Sequence, residues 1–179
     1  APFFGCAIPT GFGMVVNQIK NKKNKTLCII GLGGIGFFSL IAAMHYDFKS
    51  ITIIDTDDNK LRIAKTLGAN NIINPKKKKL TTNFYDYCID TAGKIETIEL
   101  SFNLINSQGL AIFCSHPDYD KKINLNPFDF IIGKKLMGSW GGGTIPKRDL
   151  LIYKKILNKS KGDLNRYFNK VYGLDEINK

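Results

Sequence analysis

Residues 31–36, Gly31-Leu32-Gly33-Gly34-Ile35-Gly36, form a GxGxxG that runs directly into the helix-period stretch GFFSLIAAMHY. Each glycine has its own task in phosphate chemistry. Gly31 permits a tight turn out of a strand, Gly33 lets backbone approach a pyrophosphate at the positive end of a helix, and Gly36 lets helix and sheet pack closely. The motif alone is weak, because glycine-rich turns also occur for structural reasons. A second feature strengthens it: the run Ile51-Thr52-Ile53-Ile54-Asp55 ends in a carboxylate twenty-four residues after Gly31, near the ~20 residues that a dinucleotide fingerprint wants. Such an acid accepts hydrogen bonds from ribose hydroxyls and repels a 2′-phosphate. Asp57 and Asp58 add negative charge beside it, so the pattern favours NAD, with NADP the weaker candidate. The competing role for Asp55 is to cap the helix that starts near Asp58. Arg62 would soften the preference for NAD if it folded back toward the ribose.

The other reactive residues are scattered. Cys6, Cys28, Cys88 and Cys114 contain no CxxC pair, and three of them sit in apolar runs such as TLCII and FCS. They read as reduced core thiols. Taken alone, Cys6 has no His or Cys neighbour and reads as a small hydrophobe. His45 and His116 read as structural or solvated.

These residues need a scaffold, and the periodicity supplies one. Short β-branched runs alternate with helix-period stretches, the signature of βαβ units in a parallel sheet. The predicted strands are 26–30, 50–55, 71–73, 85–90, 109–114 and 134–139. The predicted helices are 34–46, 58–67, 95–105, 127–132 and 147–158, with Gly68 as the stop of the second. This gives an α/β fold, a Rossmann-type doubly wound parallel six-stranded sheet flanked by helices. From Asn74 to Phe84 no amphipathic helix is evident. That segment, with Lys76 to Lys79, reads as a solvated loop that crosses three strand spacings.

At 179 residues the chain suits one domain with part of a second. Apolar residues make up 44% and charged residues 23%, as in globular proteins, and no run of eighteen apolar residues is present to span a bilayer. No membrane partner is expected. The formal charge of +11 raises the question of nucleic acid. The basic residues are mostly dispersed lysines, however, with only three arginines to make base contacts, so none is expected. Nothing at the start signals secretion, and the expected location is cytoplasmic. An initial Ala rather than Met points to processing or to a longer chain.

In order and spacing, GCAIPTGFGMVVN, CIIGLGGIGFFSLIAA, IIDTDDNKLRIAKTLGANNIINP, YDYCIDTAG, LMGSWGGG and the terminal YGLDEIN resemble the medium-chain, zinc-dependent alcohol dehydrogenases from one end of the chain to the other. The resemblance implies an NAD(P)-binding domain with its leading segment at 1–140 and part of the return into the catalytic domain at 141–179. It also implies that an N-terminal catalytic domain is missing, so that this piece alone does not turn over alcohol. Cys6 then matches a ligand of the catalytic zinc in the intact enzyme. Thr10 matches the residue packed on the nicotinamide from the metal side, with Ile35 behind the ring. Lys60 matches a contact to the adenosine ribose or its phosphate. Thr91-Ala92-Gly93 matches the turn beneath the pyrophosphate, and Phe113, Ser115 and Ser139 match backbone contacts to the carboxamide. Trp140 would shape the join between domains. The implied reaction is hydride transfer between a small-molecule alcohol, or a polyol, and NAD, in an enzyme that is a homo-oligomer at full length. A zinc-free quinone or enoyl reductase, a non-catalytic NAD-binding module and a methyltransferase are the alternatives. The GCAIPTG segment, with its Cys, and the want of a terminal antiparallel hairpin argue against the first and last of these.

Overall fold

The β-branched runs are each long enough to cross one sheet. In the computed structural model, which describes residues 2–160, 173 and 176, they do so as six parallel strands. These are β1 (Thr26–Ile30), β2 (Ser50–Ile54), β3 (Asn71–Ile73), β4 (Tyr85–Asp90), β5 (Ile105–Phe113) and β6 (Lys135–Gly138). The order β3-β2-β1-β4-β5-β6 makes β1 and β4 the switch point of a doubly wound sheet. Every pairing among the described residues is parallel. An antiparallel closing hairpin, as the methyltransferase alternative would need, is not part of them.

Helices α1 (Ala7–Gly13), α2 (Gly34–Ala43), α3 (Asp58–Leu67), α4 (Ile95–Leu104), α5 (Pro127–Ile131) and α6 (Pro146–Lys159) cover the faces. Leu27, Ile29, Ile51, Ile53 and Ile89 pack on one face with Phe37, Phe38 and Leu40 of α2, Phe12 of α1, and Tyr153 and Ile156 of α6. Cys28, Ile30, Ile54, Cys88 and Ala111 pack on the other with Phe102 and Leu104. Both faces are covered, so the central strands are apolar throughout instead of alternating. Helix α2 is buried on nearly all sides. Helix α3 buries only Leu61 and Ala64, takes Asp57 as its N-cap, and ends on Gly68 at φ 108°.

Two features differ from the sequence reading. The PTGFG segment, absent from the predicted helices, lies in α1, although Pro9, Gly11 and Gly13 are poor helix formers. Tertiary contact decides it. A Cβ at Gly11 would lie 2.5 Å from the Ile35 carbonyl oxygen, and one at Gly13 would lie 2.4 Å from that of Gly142. The glycines therefore let α1 sit directly on α2 and on the Gly141–Gly143 turn. Strand β5 begins at Ile105 instead of 109: residues 106–108, left between the predicted helix and strand, are taken up in a register shift opposite Tyr85 and Tyr87.

The crossover from β3 to β4 carries no helix. Asn74 organises its start: the Asn74 carbonyl accepts from the Lys77 and Lys78 amides at 3.0 Å each, and its side chain donates to Asp58 at 2.8 Å.

Candidate functional site

Gly31 leaves β1 at φ 86°, in the left-handed region where a side chain would be strained. Its amide donates to the Ile54 carbonyl at 2.8 Å, which ties the turn to the end of β2. Gly36 faces back onto the same turn: a Cβ there would lie 2.0 Å from the Gly31 carbonyl oxygen and 2.7 Å from the Thr91 hydroxyl. The opposite holds at Gly33, which is exposed and where an added Cβ would meet nothing within 4 Å. Gly34 is exposed too, and Leu32 is buried beneath them. Gly33 is the N-cap of α2 and supplies no side-chain cap, and the first turn holds no acid. The amide donors of that turn thus face open space at the positive end of the helix dipole.

Asp55 closes the turn from the side. Its carboxylate accepts from the Leu32 amide at 2.7 Å and from the Asp57 amide at 2.9 Å. A carboxylate has about four acceptor positions, so capacity remains for two hydroxyl donors. The alternative role as a helix cap does not fall to Asp55. Asp57 takes it, accepting from the Asn59 amide at 2.8 Å. Lys60 lies half-buried one turn along α3. Arg62 is held by the Asn59 side chain instead of folding back toward Asp55.

Across the switch point, Thr91 donates its hydroxyl to the Gly31 carbonyl at 2.7 Å, so this side chain braces the glycine turn. Phe113 and Ser139 meet directly, the Ser139 amide donating to the Phe113 carbonyl at 2.7 Å. Ser139 is buried, and its hydroxyl has no partner among the described residues. The Ser115 hydroxyl reaches Asp90 at 3.5 Å. Trp140 is exposed, with His116 edge-on at 5.3 Å.

Helix α1 adds the last wall. Thr10 is buried and Ile35 half-buried, on helices brought together at Gly11. Cys6, at the N-cap of α1, is exposed, unlike Cys28, Cys88 and Cys114 in the core. Burial, reinforced by Asp90 and to a smaller degree by Cys6, pushes the Cys114 thiol up to about 12. Asp90 is a residue that sequence reasoning missed. It is fully buried at the end of β4, where it accepts from the Ala92 amide at 3.2 Å. Burial raises its pKa above the ordinary carboxylate value. The signal was present, since Asp90 ends an apolar strand much as Asp55 directly follows β2.

A strand, a glycine turn and an uncapped helix at the switch point of a 3-2-1-4-5-6 sheet define the Rossmann class of α/β fold. The chain belongs to the zinc-binding dehydrogenase family, whose sequence model matches residues 34–152. It is 27% identical over 183 aligned residues to alcohol dehydrogenase 2 of Oryza sativa subsp. japonica, an alignment that takes in 97% of this chain and 48% of that protein. The chain thus spans about half the length of the curated relatives it matches. Among solved structures, benzyl alcohol dehydrogenase from Acinetobacter calcoaceticus superposes with a TM-score of 0.84 at 22% identity, over 92% of this chain and 48% of that one. A zinc-binding dehydrogenase from Sinorhizobium meliloti 1021, bound to NADP, gives 0.72 at 21% identity over 77% and 43%. At such identities the structural likeness establishes the shared fold. Among the described residues no helix is long and apolar enough to cross a membrane. The terminal YGLDEIN and the rest of 161–179, apart from residues 173 and 176, lie outside the described residues.

Proposed function

We propose that residues 1–140 hold the nicotinamide cofactor of an alcohol dehydrogenase, NAD in preference to NADP, and that 141–179 belong to the return into its catalytic domain. The observation that carries this reading is the α2 N-terminus, open above Gly33 and Gly34 and uncapped, with Asp55 fixed beside it. Backbone donors of Gly34, Ile35 and Gly36 would hold the diphosphate, and the two free acceptor positions of Asp55 the adenosine ribose. Lys60 would stand near the same sugar. A 2′-phosphate placed against Asp55 would be repelled, and Arg62 is engaged elsewhere. Thr10 and Ile35 would form the two walls of the nicotinamide pocket, and the Phe113, Ser115 and Ser139 strand ends would meet the carboxamide.

Bound in this way, a nicotinamide cofactor supplies the hydride-accepting chemistry of alcohol oxidation. The chain's own part is to aim the ring and keep water from it. A catalytic zinc takes three protein ligands. Among the described residues no three His, Cys, Asp or Glu side chains stand together, so these residues alone do not make a zinc site. In the proposed intact enzyme Cys6 is one ligand of three. The reading further takes a small-molecule alcohol or polyol as substrate, a homo-oligomer at full length, a cytoplasmic location, and neither nucleic acid nor membrane as partner.

Titration calorimetry of this chain with NAD and with NADP tests the reading. NAD is expected to bind at least tenfold more tightly. Absence of heat with either cofactor rejects the dinucleotide site.

A further inference from the structure

Among the described residues, four of the five strand-to-strand crossovers carry a helix, and the one from β3 to β4 does not. Beside that crossover a groove of about 410 Å³ opens, a volume within the ordinary range for small-molecule sites. Lys65, Lys78 and Lys79 line it, together with Asn71, Thr81 and the ring of Phe84, which is 55% exposed. None of its lining residues is acidic. The nearby Asp58 is paired with Lys77 and held by Asn74. Lys78 and Lys79 have no ion-pair partner among the described residues. Lys65 donates to the Asn70 carbonyl at 2.7 Å, which leaves it two further N–H donors. The groove runs along β3 from Asn71 to Ile73, whose carbonyl accepts from the Asp55 amide at 3.2 Å, and its lining includes neither Asp55 nor the glycine turn.

We propose that this groove is a second ligand site, for a small phosphorylated anion. Three ammonium groups around one concavity with no carboxylate repel one another and focus a positive potential into it. A multiply charged anion relieves that repulsion. Lysines bind phosphate as point charges without demanding a fixed fork geometry, and Asn71 and Thr81 offer neutral donors for the remaining oxygens. Phe84 gives the organic part of the ligand an apolar wall. The same lysines in an unbroken Rossmann unit would flank a helix; here the short crossover leaves the concavity open between them.

Calorimetry of the full chain with inorganic tripolyphosphate tests the proposal. The double variant Lys78→Gln/Lys79→Gln is expected to weaken binding tenfold or more. A control pair on another surface, Lys20→Gln/Lys23→Gln, is expected to change it less than twofold. Equal weakening by both pairs would mean diffuse surface charge and would overturn the site. So would weakening by Gly33→Asp in place of the lysine pair, because the anion would then occupy the α2 N-terminus. The outcome is independent of which cofactor the chain prefers. Phe84→Ala should weaken adenosine triphosphate and leave tripolyphosphate unchanged.

Discussion

A methyl group is the smallest probe of the glycine turn, and two positions three residues apart answer it differently. At Gly36 it collides with the Gly31 carbonyl oxygen at 2.0 Å, which is backbone and cannot swing aside. Gly36→Ala should therefore destabilise the fold by about 1–3 kcal/mol, read as a lower urea midpoint. At Gly33 the methyl meets nothing. The small loss at a helix N-cap is offset by the smaller entropy of the unfolded chain, so Gly33→Ala should leave stability within about 0.5 kcal/mol. Its cofactor affinity should fall about tenfold, roughly 1.4 kcal/mol, because the methyl stands where the diphosphate must approach. A Gly33→Ala protein with unchanged NAD affinity would remove the backbone-approach argument. The close packing at Gly36 was readable from the spacing of the motif. The particular partner of Gly36 was not, because contact with the Gly31 carbonyl depends on how the turn folds over.

At the scale of elements, the Met14–Gln18 turn that follows α1 and the start of α6 are locked together by a polar cluster. The Asn17 amide donates to Tyr153 at 2.9 Å and to Asp149 at 3.1 Å, the Ile145 amide donates to Asp149 at 2.8 Å, and Arg148 pairs with the same carboxylate. Arg148 first, then the Ile145 amide and Asn17, hold the Asp149 carboxyl below its ordinary range in spite of burial. A carboxylate with a depressed folded-state pKa stabilises the fold above its unfolded value of about 4, and that contribution is lost as pH falls through the folded value. Asp149→Asn should therefore flatten the acid limb of a stability–pH curve followed by thermal melting. Asp90 carries the opposite sign, since burial raises its pKa. Its contribution is complete below pH ~4 and is lost as pH rises through its raised value. The stability of Asp90→Asn relative to the parent should accordingly move in the variant's favour as pH rises above about 4. None of this cluster was legible in the sequence. Asn17, Asp149 and Tyr153 are more than a hundred residues apart or lie on a helix that reads as ordinary amphipathic surface. The strands β1, β3 and β4 and helix α3, built from local periodicity, were legible to the residue, while α2 stops at Ala43, three residues short of the expected end. Helix α1 was not, because its glycines disfavour a helix locally and allow one only against α2.

For the whole molecule, the proposed cofactor site at the switch point links cofactor selection to stability. A ligand that binds only the folded chain adds about 2.7 kcal/mol at a hundredfold its Kd. For a chain of this size each kcal/mol moves the midpoint by roughly 2–4 °C, so saturating NAD should raise Tm by about 5–11 °C. If NADP binds tenfold more weakly, the same concentration adds only about 1.4 kcal/mol, and the shift is roughly half as large. In the proposed site Asp55 would make that difference in two ways: it would accept from the ribose hydroxyls of NAD and repel the 2′-phosphate of NADP. Asp55→Ala removes both at once, so the two cofactor shifts should converge, the NAD shift falling and the NADP shift holding or rising. A parent protein stabilised at least as much by NADP as by NAD would mean that neighbouring cations such as Lys60, not Asp55, set the local potential, and the preference argued from this carboxylate would fail.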